Sequence, residues 1–88
     1  MAADRRYNIA KDLISAGKIT SFHRIFEIVP KSVVYKDMGI NYNRFTKLMA
    51  NPDLFTLREL STIAKLIGVD PKTIIDLAYD TLKPKKKG

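Results

Sequence analysis

Five breakers cut this sequence into short pieces: Gly17, Pro30, Gly39, the Asn51-Pro52-Asp53 run and Gly68. Within each piece the apolar residues recur at helical spacing, and alternating polar and apolar runs of strand length are absent. A chain of 88 residues has room for one small domain around one core. The sequence therefore predicts an all-α fold of short helices, each stopped by a glycine, a proline or a turn.

The first helix is expected over about residues 7–16, with Ile9, Leu13 and Ile14 on one side and Gly17 as its stop. A second covers about 21–29, where Phe22, Ile25, Phe26 and Val29 make an i, i+3, i+4, i+7 stripe for the core and Pro30 blocks continuation. A third runs from Lys31 or Ser32 to Met38. Gly39 ends it, because glycine enters the left-handed conformation at low cost. Asn41 is placed to cap a fourth helix reaching Met49, in which Phe45, Leu48 and Met49 share a face, and Asn51-Pro52-Asp53 closes it. Thr56-Leu57-Arg58-Glu59 has the spacing of a capping box. It opens a fifth helix whose apolar side is Leu57, Leu60, Ile63, Ala64 and Ile67, with Gly68 as the stop. Asp70 then caps a sixth with Pro71 in its first turn, and Ile75, Ala78 and Leu82 are its expected buried side. In domain terms, residues 1–20 are an N-terminal helix and linker, 21–82 the main domain and 83–88 a basic flexible tail.

Cysteine is absent, which removes disulfides, thiolate metal ligands and thiol catalysis. The N-terminal stretch lacks the apolar core of a secretion signal, and nowhere do about 18 apolar residues run together. A cytoplasmic, nucleoid-associated protein with no membrane contact is expected. Lys and Arg number 16 against 9 Asp and Glu, a net charge of +7. The excess is uneven: residues 31–58 hold five basic and two acidic groups, and 83–88 hold four lysines, whereas 59–82 hold two basic and four acidic groups. Positive charge gathered around one pair of helices suits a phosphate backbone, since each neutralised phosphate releases counterions.

Two short helices meeting at Gly39 have the form of a helix-turn-helix over residues 31–49. The stretch from Phe22 to Leu77, about two-thirds of the chain, resembles the phage-repressor type of helix-turn-helix domain, the Cro and xenobiotic-response-element repressor family. The likeness is carried by Val34 and Met38 before Gly39, Ile40 after it, Phe45 and Leu48 further on, and the string Ile63-Ala64-Lys65-Leu66-Ile67-Gly68-Val69-Asp70, which is similar to a run common in the family's fourth helix. It implies a compact five-helix repressor-like domain, here with one additional N-terminal helix. Tyr35 departs from the pattern, standing four residues before the glycine where the family has alanine. Either the two helices splay, or the ring covers the core edge with its hydroxyl at the surface.

A recognition helix enters the major groove with its core side turned away. At about 100° per residue, Asn43 and Lys47 lie opposite Phe45, Leu48 and Met49, Arg44 and Thr46 flank them, and Tyr42 stands at the start. The resemblance implies contact with bases or adjoining phosphates at Tyr42, Asn43, Arg44 and Lys47. Asn pairs with adenine and Arg with guanine through two hydrogen bonds each; Tyr42 has the alternative of closing the core beneath the turn. Lys31, Ser32 and Lys36 surround the preceding helix, which crosses the backbone in this geometry, so they are expected on phosphates, with Arg58 a further candidate.

Catalytic signals are sparse. His23 has Glu27 one turn away and no nucleophile; Asp76 and Asp80 are two carboxylates without further ligands; no glycine-rich phosphate loop occurs. No enzyme, cofactor or metal site is expected. The expectation is a DNA-binding transcriptional regulator acting on double-stranded DNA as a homodimer, since one recognition helix reads too few base pairs alone. The alternative is an adaptor on the same fold, antitoxin-like or coactivator-like, with a protein partner and DNA binding secondary; RNA binding is a third class. A polar, basic outward face favours DNA, and exposed apolar residues favour protein.

Overall fold

The computed structural model describes residues 4–82. Six α-helices follow one another: α1 Arg6–Ser15, α2 Phe22–Ile28, α3 Lys31–Met38, α4 Tyr42–Ala50, α5 Leu57–Ile67 and α6 Pro71–Leu82. One 3₁₀ turn, Pro52–Leu54, joins α4 to α5, and no strand occurs among the described residues. The lysine tail at 83–88 lies outside them.

Local chemistry sets most of these boundaries. The Asn41 Oδ1 atom accepts the Arg44 N–H at 2.8 Å, opening α4. At α5 the capping box is complete: Thr56 Oγ1 accepts the Glu59 N–H, and Glu59 Oε1 accepts the Thr56 N–H, both at 3.0 Å. Helix α3 ends in a Schellman motif, in which Gly39 at φ 78° donates to Lys36 O and Ile40 donates to Tyr35 O, each at 3.1 Å. The positive φ is what requires glycine there.

All four phenylalanines of the chain meet in one closed ring of edge-to-face contacts. Phe22 packs on Phe26 (5.3 Å between centroids) and on Phe55 (5.4 Å), Phe26 on Phe45 (5.6 Å), and Phe45 back on Phe55 (6.4 Å). Each such pair contributes about 0.5–1.5 kcal/mol beyond burial alone. The ring joins α2, α4 and the segment after the 3₁₀ turn, and Val34, Leu48, Ile63, Ile67 and Ile74 are buried in the same core. Asn51-Pro52-Asp53 does more than close α4: Pro52 begins the 3₁₀ turn, is itself buried, and delivers Phe55 to the interior.

Helix α1 is rotated from its expected register. Tyr7 and Ala10 are its buried residues, Leu13 and Ile14 are half-buried, and Ile9 is exposed. Tyr7 takes the core position and donates its hydroxyl to Asp37 Oδ2 of α3 at 2.8 Å; two residues on, at about 200° around the helix, Ile9 faces out. Contacts with α2 and α5 make α1 part of the single core rather than an appendage. Leu57 is likewise exposed, because it occupies the first position of α5, beyond the packed layer. Among the described side chains of α6, Ile74, Leu77 and Ala78 are buried and Ile75 is half-buried; the side chain of Leu82 lies outside them.

Candidate nucleic-acid interface

Helix α4 is divided sharply by burial. Phe45, Leu48 and Met49 are in the core, and Tyr42, Asn43, Arg44, Thr46 and Lys47 are exposed. Two interactions hold its ends. Asn41 caps the start, and His23 of α2 places Nε2 at 3.2 Å from Met49 O, so a ring protonated at Nε2 donates to one of the carbonyls that the helix C-terminus leaves unpaired. His23 is an exposed residue, and its contact with Met49, 26 positions on, has no local signal in the sequence.

Asn43 and Lys47 project from the exposed side as their angles predict. Tyr42 does not close the core: it is 61% exposed, with its ring edge-on to Tyr35 at 5.8 Å. Tyr35 is half-buried and lies 5.9 Å from Phe45, so its ring covers the core edge between α3 and α4.

Lys31, Ser32 and Lys36 are exposed on α3. Lys31 shares a groove of about 320 Å³ with His23, Tyr42 and Thr46, which brings a cation from the start of α3 to the exposed side of α4. Arg58 is not part of this groove. It lines another, of about 440 Å³, with Lys65, Val69 and Pro71 along α5 and the α5–α6 connection.

Arg44 has a partner within the fold. Its Nε and Nη2 atoms both donate to Glu59 Oε2, at 3.0 and 2.7 Å. The same carboxylate uses Oε1 to cap α5, so one side chain links the starts of α4 and α5. Burial raises the Glu59 carboxyl, but the Thr56 N–H and the Arg44 guanidinium outweigh it and hold the pKa below the ordinary glutamate value. Asp37 of α3 accepts from Tyr7. Burial, helped by that hydrogen bond, pushes the Tyr7 hydroxyl well above the ordinary phenol range, so it remains a donor.

Among the described residues no three metal-ligating side chains gather, and no helix is long and apolar enough to cross a membrane. Asp76 accepts from Lys72 at 3.1 Å, an exposed pair one turn apart. No protein-family model, curated protein or solved structure matches the chain. The site therefore stands on its own geometry: a glycine-turned helix pair, a polar and basic helix face, and a cation alongside it.

Proposed function

We propose that this protein is a repressor-like helix-turn-helix regulator that binds double-stranded DNA in the major groove through α4. The observation that carries the reading is the outward side of α4, where Asn43, Arg44, Thr46 and Lys47 stand exposed on a helix whose opposite side is locked into the core. Asn43 and Arg44 read base edges, Lys47 and Tyr42 contact a base or its phosphate, and Lys31, Ser32 and Lys36 anchor α3 on the backbone. Arg58, on a different groove, has the weakest claim to phosphate contact. The protein acts as a homodimer on a two-fold symmetric site, because a single helix covers too few base pairs. Its place of action is the nucleoid.

The adaptor reading has one observation on its side. Leu54 and Leu57 are exposed at 53% and 68% around the connection into α5, where a protein contact would cover them. The deciding experiment is selection of duplexes from a random pool at two salt concentrations. Enrichment of a two-fold motif is the expected result, with Asn43→Ala and Arg44→Ala each losing about 1–3 kcal/mol of preference for it. A pool that yields no motif would transfer the assignment to the adaptor class.

A further inference from the structure

We infer that Glu59 is a specificity-determining positioning residue: it grips one edge of the Arg44 guanidinium so that the other edge is presented to a guanine in the major groove. This rests on the DNA-reading role of α4. A guanidinium carries five N–H donors in one plane. Nε–H and one Nη2–H are used on Glu59 Oε2, at 3.0 and 2.7 Å. The second Nη2–H and the Nη1 hydrogens remain, and the terminal pair is the parallel donor set that matches guanine O6 and N7.

The grip is itself fixed. Glu59 Oε1 accepts the Thr56 N–H at 3.0 Å, and the Glu59 N–H is held by Thr56 Oγ1 at the same distance. The carboxylate cannot turn without breaking the start of α5. The Glu59 side chain is only 15% exposed, whereas Arg44 is 48% exposed, so the acid lies beneath and the cation faces solvent. An arginine on a free helix surface samples many rotamers, and ordering it costs side-chain entropy on binding. Arg44 is ordered in advance. The negative charge also opposes simple phosphate attraction at this position, which shifts the role of Arg44 from general affinity toward selection.

Glu59→Gln separates this role from helix capping, because glutamine also serves the capping box but gives Arg44 no carboxylate. Wild type, Glu59→Gln, Arg44→Lys and Thr56→Ala are titrated with the selected duplex and with duplexes in which each G·C pair is replaced in turn, and all four are melted. Wild type should lose about tenfold or more at one guanine. Arg44→Lys should abolish that preference, Glu59→Gln should reduce it about fivefold or more, and Thr56→Ala, which weakens the helix start but leaves the acid, should retain it. Full guanine preference in Glu59→Gln overturns the inference while leaving DNA reading intact. So does an Arg44→Lys variant that keeps it. A wild-type protein that enriches no sequence overturns the DNA reading and this inference together.

Discussion

At Gly39, a methyl group would meet nothing within 4 Å, so the cost of a side chain there is conformational alone. Gly39→Ala should destabilise the fold by about 1–2 kcal/mol through its left-handed backbone, lowering the melting temperature by several degrees with no change in core packing. Glu59 makes a different kind of prediction. Its folded pKa lies below the ordinary value of 4.5, so its stabilisation is complete above that value and disappears as pH falls through the lower folded one. Acid titration of wild type should show this loss, and Glu59→Gln should flatten it. Arg44 shows that a residue's exposure is legible locally while its partner is not. Its exposure followed from helix angle, but its partner lies 15 positions away on the next helix, and no local pattern points to it.

Among the elements, α4 owes its definition to Asn41 more than to length. Asn41→Ala removes the acceptor for the Arg44 N–H and should cost about 1 kcal/mol. Because it loosens the start of α4, the proposed function predicts that it also weakens all DNA sequences together, which a binding titration distinguishes from the loss of one base contact. The helix starts and stops were legible in the sequence for the same reason that this variant matters: caps, boxes and glycine turns are satisfied within four or five residues of chain. The stripe on α2 and the division of α4 were legible too, since periodicity alone fixes them. Register against distant partners was not. Tyr7 seats α1 through Asp37, 30 positions on, and that one contact turned Ile9 outward. Pro52 looked like a terminator and proved to be the start of a 3₁₀ turn, because the burial of Phe55 beyond it depends on the rest of the fold.

For the molecule as a whole, positive charge is concentrated on α3 and α4, where the one acid, Asp37, accepts from Tyr7, and Glu59 of α5 pairs with Arg44. The cations exposed there should therefore act in DNA binding through counterion release. Lys31→Ala should weaken binding to all sequences alike and reduce the slope of log K against log salt by about 1, measured by titration at several salt concentrations. The ring of four phenylalanines has a consequence in time. Since Phe45 of α4 is held between Phe26 and Phe55, α4 has no private route to opening, and its core-side amides should exchange with deuterium only when the whole domain unfolds. Under the proposed function, α4 meets DNA as a preformed surface, and the encounter rate is expected to follow diffusion and charge rather than the folding of that helix.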